Sequence, residues 1–153
     1  LIDDLYSARI LGLVADMPLT GRLAAPDASA EKTAKLCGSR IRVEVKVEGD
    51  TVTDFAQEVQ ACALGQAAAA VLGANVVGAT LSEIEMARDS LRAMLKDQGP
   101  PPQGRFSDLA VLQPVKDYPA RHASSLLAFE AAAEAVRKAM TLHAERTSRA
   151  GAA

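Results

Sequence analysis

An α+β fold, with a small three-stranded antiparallel sheet and helices packed on one of its faces, is what this sequence predicts. Three observations carry the prediction. Arg40 to Val47 alternates strictly, with Ile41, Val43, Val45 and Val47 on one side and Arg42, Glu44 and Lys46 on the other, the signature of a strand with one buried and one wet face. Glu48-Gly49-Asp50 then marks a hairpin turn before a second extended stretch, Val52 to Ala61. After that the apolar residues switch to helical spacing and stay there. A run of strands followed by a run of helices is the order of an α+β domain.

The elements follow in order. Ile2, Leu5, Tyr6, Ile10 and Leu13 recur at helical spacing and predict an amphipathic first helix from Ile2 to Val14. Met17 to Asp27, with Pro18, Gly21 and Pro26, reads as a loop. Ser29 to Leu36 is expected as an edge strand. In the return strand Val52 and Phe55 fall on opposite faces of a regular pleat, which calls for a bulge. Leu64 to Val77 is an Ala-rich helix with Gly78 as its stop. Thr80 and Glu83 form a capping-box pattern for the next helix, whose apolar side carries Leu81, Ile84, Leu91 and Leu95. Gln98 to Gly104, with three consecutive prolines, interrupts helical pattern and reads as an extended surface excursion. A short helix is expected over Phe106 to Leu112, a corner at Asp117 to Ala120, and a long helix from His122 with Leu126, Phe129, Ala133, Val136 and Met140 as its buried stripe. Glu134 and Lys138 add an i,i+4 pair. The expected organisation is one domain over 1–146 and a disordered tail over 147–153.

At 153 residues, with 49% hydrophobic and 24% charged residues, the chain has enough apolar content for one ordinary core. With no Trp, two Tyr and three Phe, that core is aliphatic. The net charge of −2 has both signs interspersed and no basic stripe, which argues against nucleic acid as a partner. No apolar run approaches the roughly 18 residues of a membrane span, and Leu1 to Leu5 lacks the basic region of a signal peptide. Two cysteines do not make a disulfide framework, so the reading is cytoplasmic, with thiols that are free, metal-bound or reactive.

Those two thiols hold the chemical interest. Cys37 and Cys62 each sit where strand-like sequence gives way to loop or helix, and His122-Ala123 sits at the start of the last helix. Two thiols and an imidazole converging on one point would suit zinc or an iron–sulfur centre. Such a site requires the two Sγ atoms and a His122 ring nitrogen within about 4 Å of one another. Taken singly, Cys37 and Cys62 also fit as small core residues, His122 as a helix-start polar contact, and Ser124-Ser125 as capping residues. His143, on the apolar line near the helix end, reads as a core-edge or dipole partner rather than a ligand.

Leu5-Tyr6-Ser7, Cys37-Gly38-Ser39 leading into the alternating strand, Cys62 opening an Ala-rich helix, and Tyr118-Pro119-Ala120-Arg121-His122-Ala123-Ser124 follow one another in an order and context that resemble the U-type iron–sulfur scaffold family, the IscU, SufU and NifU N-terminal group. The resemblance runs from about Leu5 to about Met140. It implies a protein of iron–sulfur cluster assembly, not an enzyme in its own right, that binds iron, a [2Fe–2S] cluster or zinc and accepts sulfur from a cysteine desulfurase. Further implied partners are a chaperone and cluster-acceptor proteins, with self-association open. Cys37 and Cys62 match two of the family's thiolates and His122 the histidine before its third. Ser39 stands where the family has Asp, a marginal ligand at best, and Ala123 is read at the third cysteine. Gly65, Ala68 and Ala70 replace small polar residues after the second cysteine. The long stretch from Cys62 to Ala123 resembles the SufU-type insertion, while the histidine resembles the IscU type. Gln113-Pro114-Val115-Lys116 is similar to the IscU peptide read by its chaperone. Two alternatives stand beside the scaffold reading: a metal-free member acting as an interaction module, and a SufU-like zinc-dependent sulfurtransferase partner.

Overall fold

The central strand is β2 (Ser39–Glu48), flanked by β1 (Ala28–Ala34) and β3 (Thr51–Gln60) in an antiparallel three-stranded sheet of order β1-β2-β3. The structure, a computed structural model, describes residues 6–152. Around the sheet stand α1 (Ala8–Ala15), α2 (Ala63–Asn75), α3 (Leu81–Lys96), a 3-10 segment over Gly104–Asp117, a short 3-10 turn at Pro119–Arg121, and the long α4 (His122–Ala152). The expected α+β class holds, and α4 lies across β1 and β2 while packing on α2 and α3.

The hairpin forms as the pattern demands. Gly49 takes φ +64°, a value that favours glycine, and Glu48 pairs with Thr51. The bulge is present as well. Val47 pairs with Val52 and Val45 with Phe55, so β3 spends one extra residue over that step. Val52 and Phe55 thereby share the buried face, at 1% and 4% exposure.

The wet face of β2 is only partly wet. Glu44 is buried because Pro18 to Asp27 docks on the sheet: Gly21 and Leu19 bond the backbone of Gln57, and Asp27 N donates to Val45 O. Glu44 accepts from Leu23 N at 2.8 Å and from Arg42 at 2.9 Å. Burial pushes its carboxyl up, but the Leu23 amide and the Arg42 and Arg22 guanidinium groups outweigh that and hold it below the ordinary value.

Several boundaries differ from expectation. The first helix starts at Ala8, because Ser7 caps it by accepting from Ile10 N; Ile2 and Leu5 lie outside the described residues. The capping box at Thr80 and Glu83 is present in full. In place of a short helix over Phe106 to Leu112 the chain makes a 3-10 segment that buries Phe106, Leu109, Leu112 and Val115. That period of three is the 3-10 repeat, whose i and i+3 side chains eclipse. Phe106 meets Phe129 edge-to-face, centroids 5.2 Å apart. Within the proline run Pro102 is buried rather than exposed. Helix α4 continues through Ala152, beyond the start of the expected tail, and His143 on it pairs with Asp27 at 3.2 Å instead of resting on the core.

Helix α2 is apolar apart from Gln66 and Asn75 and largely buried, with Leu64, Gly65, Ala67 to Ala70, Val71, Leu72 and Gly73 all enclosed. Its small residues let α4 and the sheet come close to its first turn, and that close approach forms the site.

Candidate functional site

Three elements end at one point. Cys37 lies in the turn between β1 and β2, which Gly38 closes with φ +71° and a 2.9 Å bond from its N–H to Ala34 O. Ser39 opens β2. Because Arg40 pairs with Gln60, the residues just beyond β3 arrive beside Ser39, and Cys62 follows there as the N-cap of α2. From the opposite side, the first turn of α4 delivers Ser124, which is fully buried. It fits because Gly65 has no side chain: a Cβ there would lie 2.7 Å from Ser124 Oγ and 3.1 Å from Ser124 O.

These four side chains make a continuous polar chain. Cys37 Sγ donates to Ser39 Oγ at 3.2 Å, Ser39 Oγ meets Ser124 Oγ at 3.2 Å, and Ser124 Oγ meets Cys62 Sγ at 3.2 Å. Cys37 is exposed and Cys62 half-buried. Both thiols are held below their ordinary value. For Cys37 the hydroxyl and backbone amide of Ser39 are the main causes, with Ser124 adding to them against a small burial cost. For Cys62 burial pushes upward most, but the Ser124 hydroxyl, the amides of Gly65 and Leu64 in the first turn of α2, and Arg121 together prevail. Two cysteine sulfurs, one exposed and one half-buried, therefore flank a buried hydroxyl pair.

Of the candidate ligands, the structure gathers Cys37, Ser39 and Cys62 but not His122. That histidine is buried, and its Nε2 lies 3.0 Å from the carbonyl oxygen of Val115. It ties the last turn of the 3-10 segment to α4, so its ring is engaged elsewhere. Val115, the third residue of the chaperone-like peptide, is 1% exposed and part of the core. Ala123 is exposed, and the side chain facing the thiols is Ser124. One residue along a helix turns the side chain by roughly 100°, so only one of these neighbours can point inward. Ser124 is the residue that sequence reasoning missed, having been read there as a cap. Ser125 does make a local bond, to Arg121 O at 2.9 Å.

The donor set decides what the site can hold. Two thiols and two neutral hydroxyls offer half of the strong donors that a tetrahedral zinc or a [2Fe–2S] centre takes. Among the described residues no group of three or more His, Cys, Asp or Glu side chains could hold one metal ion. These residues do not fit a resident four-ligand metal centre.

The comparisons agree with the fold. The description of the NifU-like N terminal domain matches residues 5–125. The chain belongs to that family. A NifU-like protein (N-terminal) from Brucella abortus has a crystal structure that superposes on this NifU-like chain with a TM-score of 0.88 at 51% identity, covering 90% of this chain and 96% of that one. The chain is also 27% identical, over 88% of its length and 94% of the relative's, to the iron-sulfur cluster assembly scaffold protein IscU of Thermotoga maritima. It is 26% identical, over 67% of its length and 69% of the relative's, to the zinc-dependent sulfurtransferase SufU of Bacillus subtilis. It is thus a NifU-like member of the iron–sulfur cluster assembly scaffold family. No helix among its described residues is long and apolar enough to cross a membrane.

Proposed function

We propose that this NifU-like chain serves iron–sulfur cluster assembly in the cytoplasm as an acceptor of sulfur, with Cys37 and Cys62 as paired thiols and a cysteine desulfurase as donor. The observation that carries this reading is the pairing itself: two cysteine sulfurs bound to one buried hydroxyl pair, with no group of three His, Cys, Asp or Glu side chains among the described residues to make a metal centre. In the transfer a cysteine thiolate attacks the outer sulfur of the donor's persulfide. A new S–S bond forms on the acceptor, the donor's S–S bond breaks, and the donor leaves as its own thiolate. Exposure favours Cys37 as the first acceptor. Iron and a nascent cluster are cargo in this scheme, held briefly by two thiolates with Ser39 and Ser124 as weak donors. The names of the curated relatives, a scaffold and a sulfurtransferase, support the reading.

The test is anaerobic incubation with a cysteine desulfurase and L-cysteine, followed by peptide mass spectrometry. The expected product, read in Cys62→Ser so that no second thiol can displace the sulfur, is Cys37 heavier by one sulfur atom. A desulfurase that turns over while both cysteines stay unmodified overturns the proposal.

A second reading, a metal-free docking module, draws on Leu36, which is 90% exposed next to Cys37 and offers an apolar anchor to a partner. Cys37→Ala separates the two: unchanged desulfurase binding with no sulfur transfer in either form favours the module.

A further inference from the structure

We infer that Cys62 discharges the sulfur carried by Cys37: its thiolate attacks the inner sulfur of a Cys37 persulfide, forms an intramolecular Cys37–Cys62 disulfide and releases hydrosulfide. The inference rests on the proposed sulfur acceptance and adds what becomes of the sulfur. In a four-ligand site the metal would occupy both thiolates. Here the two sulfurs hold opposite ends of one buried hydroxyl pair: Cys37 Sγ is 3.2 Å from Ser39 Oγ, Ser39 Oγ is 3.2 Å from Ser124 Oγ, and Ser124 Oγ is 3.2 Å from Cys62 Sγ. The two sulfurs are therefore joined through two hydroxyls, both on serine side chains that can rotate.

Their exposures suit the two roles. Cys37 stands exposed in the turn between β1 and β2, while Cys62 is half-buried at the head of α2. Closure needs the two Cβ atoms to come within about 4.5 Å. The Cys37 turn can supply the travel: it packs through contacts of 3.2 Å to Ser39 Oγ and 3.9 Å to Ala34 O, and Gly38 beside it has open space around its α-carbon.

The step balances. The Cys37–S–SH bond breaks, the Cys37–S–S–Cys62 bond forms, and the outer sulfur leaves as HS⁻ with the electron pair of the broken bond. The sulfane sulfur is reduced to sulfide and the two cysteines are oxidised to cystine, so no metal and no outside electron donor enters. A dithiol reductant then restores both thiols by exchange. The class of reaction that consumes the product is one that joins inorganic sulfide to iron.

The experiment uses the whole chain and a small donor, glutathione persulfide, which bypasses any desulfurase. Reduced protein is loaded anaerobically and desalted, and free sulfide and the disulfide state are followed together. The wild-type chain is expected to release sulfide and gain a Cys37–Cys62 cross-link within one chain, about tenfold or more faster than Cys62→Ser, which should keep its persulfide on Cys37. Serine is a favoured N-cap, so that variant retains its helix start. Equal sulfide release by both proteins, a cross-link between chains instead of within one, or failure of Cys37 to take sulfur from the small donor overturns the inference. Discharge with the small donor but no loading by a desulfurase leaves this chemistry standing and sinks the proposed donor instead.

Discussion

Exchanging Ser39 for Asp and Ser124 for Cys together should turn this site into one that holds zinc. The positions already converge: Ser124 Oγ is 3.2 Å from both Ser39 Oγ and Cys62 Sγ. A tetrahedron with metal–sulfur arms of about 2.3 Å has edges of about 3.8 Å, so the donors need to spread by roughly half an ångström. Four-ligand structural zinc sites gain roughly 10–16 kcal/mol, or about 3 kcal/mol per ligand. Two strong donors in place of two hydroxyls would then add about 6 kcal/mol. Fitting a sulfur where a hydroxyl is fully enclosed costs about 1–3 kcal/mol, leaving about 4 kcal/mol, close to a thousandfold in affinity. Gly65 keeps that cost low, because no Cβ stands beside position 124. The assay is competition against a chelating zinc indicator, for the parent, both single variants and the S39D/S124C double variant. Each single variant should fall between the parent and the pair. A double variant that is folded by circular dichroism yet binds zinc less than about tenfold tighter than the parent would refute the claim that these four positions are a metal site lacking two donors.

Three further outcomes are expected. Gly65→Ala sets a Cβ 2.7 Å from Ser124 Oγ and 2.9 Å from Ala61 Cβ; it should cost about 1–3 kcal/mol in urea unfolding and slow persulfide discharge by moving Ser124, whereas full retention of both refutes the packing argument. Glu44→Gln should lose about 2 kcal/mol at pH 7, the scale of hydrogen bonds to a charged group. Because the Glu44 carboxyl is held below its ordinary 4.5, its contribution is present above that pH and is lost as pH falls through the lowered folded value, so the gap between the two proteins should narrow as pH falls below 4.5; a gap independent of pH counts against it. Phe129→Ala removes a fully buried ring packed on Phe106 and should cost about 3–5 kcal/mol in thermal or urea unfolding, and a loss under about 1 kcal/mol means the 3-10 segment does not depend on that pair.

Much of the fold was legible because its signals are local. Arg40 to Val47 alternates, Gly49 sits where a positive φ is required, and Thr80 and Glu83 satisfy each other across one helical turn. Even the bulge was visible, since Val52 and Phe55 cannot share a face without an extra residue. The 3-10 segment was legible in principle, with Phe106, Leu109, Leu112 and Val115 at a period of three, but that period is easily taken for part of a helical stripe. The burial of Glu44 was not legible. It depends on a loop docking from Pro18 to Asp27, and the strand pattern carries no trace of it.

The site divides in the same way. The sequence by itself determined that two thiols stand at strand ends, that Ser39 follows one of them, and that the chain resembles the iron–sulfur scaffolds, because these are matters of residue type and order. Only the tertiary structure decided which residue faces them. Ala123 and Ser124 are neighbours of similar size, and the phase of α4 turns Ser124 inward and Ala123 out. His122 lies two residues from Ser124 and is spent on the carbonyl of Val115. Convergence of side chains from β2, α2 and α4 is set by how those elements pack, and helix phase against a neighbour is fixed only when the whole buried face of α4 has found its place.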